Sequence, residues 1–329
     1  MRVVFVQRPD AALSCGGGEV QAELTATELR RMGVDVEVFT PLSTELGDVV
    51  HCFGAMADFN LVADHCILRK VPYICSPIFY VPQSTLHFLW WRTKAVMPTT
   101  YVRERRRLMA RAAMLFPNTA AEASQVSAVF GQSPERMWIV PNGVEERFAD
   151  GDPELFRRTF GIREPFVLNI ARIERRKNQL RLIRALKGTG IPLVIIGREA
   201  ERDCVEACRR EGGDNVTFLP PIPHDDPLLA SAYAACRVFA LPSLLETPGI
   251  AALEAGIAGA RVVTTPIGGG REYFSDHALY VDPYSVSDIR AKVLQAWNSA
   301  GDAETLREHI LKHFTWRRLA EKTLEGYER

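Results

Sequence analysis

Four charged residues in the second half of the chain have types and spacing that could do chemistry. Arg172 and Lys177 lie in Asn169-Ile170-Ala171-Arg172-Ile173-Glu174-Arg175-Arg176-Lys177-Asn178, where an apolar run ends. Arginine offers a forked donor and lysine a point charge, so two such groups leaving one strand end can point at one anion; a diphosphate suits them. A solvated basic turn is the competing reading, and it fits Arg175 and Arg176. Glu246 and Glu254 lie eight residues apart in Leu241-Pro242-Ser243-Leu244-Leu245-Glu246-Thr247-Pro248-Gly249-Ile250-Ala251-Ala252-Leu253-Glu254-Ala255. The first precedes a small-residue helix expected from Ile250, and the second sits just over one turn into it. Carboxylates so placed can accept hydrogen bonds from two hydroxyl-bearing parts of one ligand, while the helix start can hold an anion. A capping acid plus a surface glutamate is the plain alternative, but the Ala, Leu and Ile surroundings suit solvated charges poorly.

Two glycine-rich segments accompany these residues. Cys15-Gly16-Gly17-Gly18-Glu19 follows the first apolar run and opens a helix, so its backbone can approach a phosphate closely. The dinucleotide fingerprint G-x-G-x-x-G fails there, because no glycine follows Gly18 at the required place. The second segment is Thr265-Pro266-Ile267-Gly268-Gly269-Gly270-Arg271-Glu272.

The elements that must position these groups alternate. Strands are expected at Val3–Gln7, Val34–Phe39, Asp48–Phe53, Pro72–Ser76, Met114–Asn118 and Met137–Val140, with helices near 19–32, 57–68, 99–113 and 120–130. A second set of strands follows at Phe166–Ala171, Leu193–Gly197, Val216–Leu219, Val238–Pro242, Arg261–Thr265 and Leu279–Val281. This is an α/β pattern of two doubly wound, Rossmann-like domains, whose ligands gather at the carboxyl ends of parallel strands, in a cleft between the domains. The change of domain falls between Pro141 and Pro165, where Pro141-Asn142-Gly143 and Asp150-Gly151-Asp152-Pro153 signal turns.

A length of 329 residues fits two domains, and 47% hydrophobic with 24% charged residues fits a chain folded over most of its length. The 40 basic and 40 acidic residues cancel, which disfavours a nucleic-acid partner and makes any basic site local. No stretch approaches the roughly 20 apolar residues of a membrane span, and Met1 to Gln7 is too brief for a signal peptide, so a cytoplasmic location is expected. The seven cysteines lack C-x-x-C spacing, and neither Cys204 with Cys208 nor the pairs His51-Cys52 and His65-Cys66 assemble four ligands at zinc-like spacing. No metal is expected.

The glycine loop, Pro141-Asn142-Gly143-Val144 with Phe148, the R-x4-K pair, the E-x7-E pair and the G-G-x-x-E segment occur in this order. Together they resemble the retaining glycosyltransferases of the GT-B fold, specifically glycosyltransferase family four (glycosyl transferases group 1). The resemblance implies an N-terminal acceptor-side domain over 1–145, completed by a crossover helix over 315–329, and a C-terminal nucleotide-sugar domain over 146–314, with a hinge around Pro141 to Phe148. It implies that Arg172 and Lys177 hold the donor diphosphate, that Glu246 faces the transferred sugar and that Glu254 binds the ribose hydroxyls. Arg172, Lys177 and Glu246 are then the catalytic residues. Gly249 and Ile250 would offer amides to sugar and distal phosphate; Pro248, in the same donor turn, has no amide hydrogen to give. Gly16, Gly17 and Gly18 would close over the phosphates, and Pro221 and Ile222 lie where the nucleobase is usually met. Thr247-Pro248-Gly249 departs from the family's glycine-aromatic-glycine step and leaves the donor sugar unassigned. Ser76-Pro77-Ile78-Phe79-Tyr80 lacks the histidine that family members often have on the acceptor side.

The implied reaction moves a sugar, by front-face attack and without cofactor or metal, from a nucleoside-diphosphate sugar, UDP or GDP being expected, to a glycan or lipid-linked acceptor in polysaccharide assembly. A nucleotide-sugar epimerase or a non-catalytic nucleotide-sugar-binding protein is the alternative on the same architecture. His87-Phe88-Leu89-Trp90-Trp91-Arg92-Thr93-Lys94, followed by Arg103, Arg105, Arg106, Arg107 and Arg111, mixes aromatics with cations. Such a face can rest on an anionic membrane, making the protein peripheral on its inner side; solvated arginines and cleft-lining tryptophans are the other reading.

Overall fold

The β-branched runs pair into two wholly parallel sheets, a five-stranded and a six-stranded one, in a computed structural model that describes residues 1–11, 16–81, 85–97, 100–247, 249–299 and 303–329. The first lobe comprises Met1–Gly143 and Trp316–Arg329, the second Val144–Thr315. In the first, β1 (Arg2–Val6), β2 (Asp35–Val38), β3 (Val49–Phe53), β4 (Tyr73–Ser76) and β5 (Met114–Leu115) stand in the order β2-β1-β3-β4-β5. β3 and β4 are buried along their whole length, as strands covered on both faces must be. Alternation along β1 sends Val4 and Val6 into a core with Phe59 and Phe130, and Val3 and Phe5 into another with Leu29 and Ala320.

Ala320 comes from the last helix, Trp316–Tyr327, which packs in this lobe against the helix Gly17–Arg31 that follows β1. Lys322 on that helix accepts a hydrogen bond from Trp138 Nε1 through its carbonyl at 2.8 Å, and Tyr327 Oη lies 2.6 Å from Nδ1 of buried His51, whose Nε2 is 2.9 Å from Ser76 Oγ. Gly143 makes the return possible, since a Cβ there would stand 2.7 Å from the Trp316 amide nitrogen.

Met137–Val140 is not a strand. Met137 forms one isolated bridge with Leu115, and the amides of Trp138 and Val140 donate to the carbonyls of Leu115 and Pro117 at 2.8 and 3.0 Å. Pro117 has no amide hydrogen to return, so the ladder stops and β5 itself ends at Leu115. The helix Thr85–Val96 has no counterpart among the expected elements, its aromatic and basic residues forming no one-sided apolar stripe. No helix among the described residues is long and apolar enough to cross a membrane.

In the second lobe β6 (Val167–Ile170), β7 (Leu193–Ile196), β8 (Val216–Leu219), β9 (Val238–Leu241), β10 (Arg261–Thr264) and β11 (Leu279–Tyr280) stand in the order β11-β10-β9-β6-β7-β8. The chain builds outward from β6 to β8, then returns to the other side of β6 as β9. That reversal opens a crevice at the carboxyl ends of β6 and β9. Their ladder runs only over Val167 with Val238 and Leu168 with Phe239; beyond it the Asn169 side-chain amide donates to the Ala240 carbonyl at 2.7 Å. The turns after β9 and β10 are laced together where the Glu246 amide donates to the Ile267 carbonyl at 3.0 Å and the Gly269 amide to the Glu246 carbonyl at 2.9 Å. Gly268 between them has φ +112°, and a Cβ there would fall 1.8 Å from the Glu246 carbonyl oxygen.

Two outcomes follow from this packing. Gly268→Ala should destabilise the protein by about 2–4 kcal/mol through backbone strain and overpacking, read by urea unfolding; an unchanged midpoint contradicts the close approach. Burial lowers the His51 imidazole to about 3, so below its ordinary value near 6.5 the unfolded chain takes up a proton that the native one refuses. Its contribution is complete above that value and declines as the pH falls toward 3. The stability gap between wild type and His51→Gln should therefore narrow by about 2 kcal/mol between pH 7.5 and 5, and parallel pH dependences contradict a neutral buried imidazole.

Candidate functional site

The turn after β6 is fastened to the turn after β9 through its own basic residues. Arg175–Lys177 form one 3-10 turn, and Asn178 takes the left-handed conformation at φ 65°. Asparagine tolerates that conformation, and here its amide donates to the carbonyls of Pro242 and Pro283 at 2.8 and 2.7 Å. The Leu244 amide donates to the Arg176 carbonyl at 2.8 Å, and Arg176 returns a bond to the Leu245 carbonyl at 3.0 Å. These bonds bring Lys177 Nζ to 2.6 Å from Glu246 Oε1, at a carboxylate that is only 4% exposed. Burial pushes the Glu246 carboxyl up, but the ammonium of Lys177 and the guanidinium of Arg176 outweigh it and hold it below the ordinary carboxylate value. It is an anion.

Glu174, also buried, divides its oxygens between two arginines: Oε2 lies 3.3 Å from Arg172, and Oε1 accepts from Arg176 Nε at 3.1 Å. Arg172 itself remains 43% exposed, so its fork is accessible to a ligand. Arg176, though its side chain is 42% exposed, is a strut between the two turns, whereas Arg175, at 73%, is the more solvated of the two.

Glu254 is inside the helix Ile250–Ile257 and likewise 4% exposed. Tyr233 Oη donates to its Oε2 at 2.6 Å, and His224 Nε2 lies 3.0 Å from its Oε1. The other ring nitrogen of His224, Nδ1, lies 3.4 Å from Glu145 Oε2. Arg147 bonds Glu145 at 3.0 Å and also donates to the His224 carbonyl, while the Phe148 ring meets the imidazole edge-on at 5.5 Å. The hydrogen bond with Glu254 raises the imidazole above its ordinary value despite burial, which opposes it, and the charges of Glu254 and Glu145 act in the same direction.

The second lobe thus places Arg172, Lys177, Glu246 and Gly249 on the turns that follow β6 and β9, and Ile250 and Glu254 on the helix Ile250–Ile257 that the second turn opens. Gly249 caps the helix at φ 81°, against the Glu246 side chain. Pro221 and Ile222 follow β8, with Pro221 exposed and Ile222 packed on the core beside β6. Gly16, Gly17 and Gly18 stand in the first lobe, where Gly16 caps the helix Gly17–Arg31 and its amide donates to Glu19 at 2.9 Å. Pro248 and Cys15 lie outside the described residues. Asn178, Tyr233 and His224 were not legible as site residues, because each acts through a partner remote in sequence; Glu174 pairs with Arg172 and Arg176 close by, and its acidic character between arginines was the one local signal.

The cationic cluster over 92–111 is smaller than expected. Arg105 lies 5.1 Å from the centre of the Phe79 ring and near Trp91 and Tyr101, Arg106 donates to the Phe130 carbonyl, and Arg107 and Arg111 pair with Asp64. Arg105, Arg106 and Arg111 are partly buried and Arg107 is exposed but paired, whereas Arg92 and Arg103 are exposed, as are Leu89, Trp90, Val96, Met97 and Tyr101. The side chains of His87 and Phe88 are outside the described residues.

A family profile described as "Glycosyl transferases group 1" matches residues 153–313. A D-inositol 3-phosphate glycosyltransferase of Kribbella flavida is 32% identical over 237 residues, 65% of this chain and 55% of that protein. The chain spans about half the length of this and several other curated relatives. The protein of the same name from Actinosynnema mirum is 30% identical over 95% of this chain and 92% of its own length. Among solved structures, a sucrose-phosphate synthase from Thermosynechococcus elongatus superposes with a TM-score of 0.78 at 18% identity, covering 99% of this chain and 98% of that one. A glycosyltransferase from Rickettsia africae gives 0.76 at 12% identity, with coverages of 99% and 97%. The two-sheet α/β fold is that of GT-B proteins, and with near-complete coverage at 30% identity the chain belongs to the glycosyl transferases group 1 family.

Proposed function

We propose that the protein is a retaining glycosyltransferase that moves a sugar from a nucleoside-diphosphate sugar, UDP or GDP, to a hydroxyl of a glycan or lipid-linked acceptor. The observation that carries this reading is the buried Lys177–Glu246 pair beside accessible Arg172, all at the crevice where the strand order of the second lobe reverses. In this reading the acceptor oxygen bonds to the anomeric carbon on the face from which the diphosphate departs. The carbon–oxygen bond to phosphate breaks, and the acceptor proton passes to the departing phosphate oxygen. Arg172 and Lys177 stabilise the charge that develops there, so the step needs no metal and no protein nucleophile. Glu246, an anion bound to Lys177, orients that ammonium and faces the transferred sugar. Glu254 takes the ribose hydroxyls, and the glycines Gly16 to Gly18 of the first lobe meet the phosphates. The relatives' name makes inositol 3-phosphate one acceptor worth assaying. We place the activity in the cytoplasm.

Attachment of the first lobe to an anionic membrane is a second part of the proposal. It rests on Trp90, half exposed, and on exposed Leu89, Arg92, Val96, Met97, Tyr101 and Arg103 on the same helix and the stretch that follows it. Aromatic rings and flanking cations suit the headgroup region.

Thermal-shift screening of UDP-, GDP-, TDP- and ADP-sugars should give one stabilising donor, and sugar transfer from it should fall by about 10²–10³ in kcat for Arg172→Ala; wild-type turnover in that variant contradicts the assigned role. Co-sedimentation with phosphatidylglycerol vesicles should exceed that with phosphatidylcholine and drop in Trp90→Ala with Arg92→Ala. Equal recovery on both vesicles removes the membrane part and leaves the transferase part standing.

A further inference from the structure

Ile78 has a backbone that its residue type disfavours. It takes φ 46°, and among the described non-glycine residues with positive φ it is the β-branched one; such a side chain stays there only where its surroundings over-determine it. Two side chains of the helix Ala120–Phe130 do so. Glu122, 0% exposed, accepts the Phe79 amide on Oε1 at 2.8 Å and the Asn118 amide on Oε2 at 2.7 Å. Gln125 accepts the Val81 amide at 2.8 Å and donates to the Val81 carbonyl at 3.2 Å. The Phe79 ring is wedged between Trp91 and Phe130, whose ring centres are 5.2 and 4.7 Å away. On the other side of Ile78, the Pro77 carbonyl accepts the Ala55 amide at 3.2 Å.

These bonds carry Ile78 across the crevice of the first lobe. The strand order reverses between β1 and β3, so ligands are expected at the carboxyl ends of those two strands. The chain leaving β4 runs along the end of β3, where the Gly54 amide donates to the Ser76 carbonyl at 2.8 Å. The Ile78 side chain then meets the start of the helix that follows β1: a Cβ on Gly18 would stand 3.2 Å from Ile78 Cδ1. Ile78 is partly exposed at this place. In the proposed reaction the acceptor oxygen attacks on the face from which the diphosphate departs, and Gly16 to Gly18 meet that diphosphate, so a side chain seated on Gly18 borders the acceptor. We propose that Ile78 is a specificity-determining residue for the acceptor, held in place by Glu122 and Gln125 as positioning residues, and that the acceptor lays an apolar face on it: the C–H side of a sugar or inositol ring, or the alkyl group of a glycoside. The inference rests on the reading of Gly18 as a phosphate contact. A branched alkyl group offers no hydrogen bond, so a charged group set against it loses hydration without a partner to replace it, whereas C–H surface gains by leaving water.

The test is steady-state transfer by the full chain, from the donor that thermal-shift screening selects, to octyl glucoside, octyl mannoside, octyl galactoside and inositol 3-phosphate. Wild type should use at least one of the four. Ile78→Gly removes the apolar side chain, and Ile78→Asn tolerates positive φ but puts an amide in its place. Both should raise the KM for that acceptor about tenfold or more while the donor KM stays within about twofold of wild type, and Ile78→Val should keep the acceptor KM within about threefold. Glu122→Gln, which leaves one of the two amides without an acceptor, should share the rise in acceptor KM at an unchanged donor KM; if it fails to fold, the Ile78 variants still decide. Urea unfolding should find Ile78→Gly more stable than Ile78→Ala, since both lose the side chain and only glycine sheds the strain of positive φ. An acceptor KM unmoved by Ile78→Gly and Ile78→Asn, or a donor KM that rises as much, overturns the specificity role. Equal stability of Ile78→Gly and Ile78→Ala overturns the strained clamp. Transfer to none of the four acceptors, from a donor that the protein binds, overturns the apolar-faced acceptor while leaving the donor site intact. Absence of binding to any nucleotide sugar overturns the transferase reading itself, and this inference with it.

Discussion

Withdrawing the Glu246 carboxylate from water is the constraint on which the turns after β6, β9 and β10 depend. A buried carboxylate without a partner costs several kcal/mol, and here Lys177 at 2.6 Å and the nearby Arg176 offset that cost. Neither cation could arrive by local geometry, since both belong to a turn after a different strand, almost seventy residues earlier in the chain. The other bonds between the two turns have the effect of fixing that arrival: Asn178 to Pro242, Leu244 to Arg176, and Arg176 to Leu245. Gly268 completes the frame by letting the turn after β10 run against the Glu246 backbone.

The same sheet order supplies the place. β6 is both the first strand of the second lobe and its centre, with β7 and β8 on one side and β9 to β11 on the other. Turns leaving β6 and β9 at their carboxyl ends diverge around the point of reversal, and charged groups on them can share a space that packed helices do not fill. The two acids on the β9 side are held by different means. Glu246 is balanced by cations, whereas Glu254 is held by a phenol and an imidazole.

The first lobe uses the same architecture with a different centre of gravity. Its sheet order places β1 between β2 and β3, and its second core is closed by the last helix of the chain, through Ala320, the Lys322 carbonyl and Tyr327. A lobe built from both ends of the sequence ties the C-terminal helix to the N-terminal fold. Trp138, outside any strand, serves that closure by donating to Lys322.

Much of this was legible from sequence because it depends on local pattern. Short β-branched runs separated by helical periods determine a parallel α/β sheet, an Asn-Gly turn marks the passage between lobes, and the R-x4-K and E-x7-E spacings put charged groups on the turns and the helix start that follow strand ends. The local pattern could not say where a strand ladder stops, as at Pro117, or that a run of arginines is consumed by ring packing and by Asp64. Nor could it assign a purpose to His224, Glu145 or Tyr233, whose neighbours in sequence carry no hint of Glu254. Periodicity and charge spacing act over a few residues and so are written in the sequence; the pairing of Lys177 with Glu246 and the contacts of His224 and Tyr233 with Glu254 depend on which strands become neighbours, and only the assembled sheet decides that.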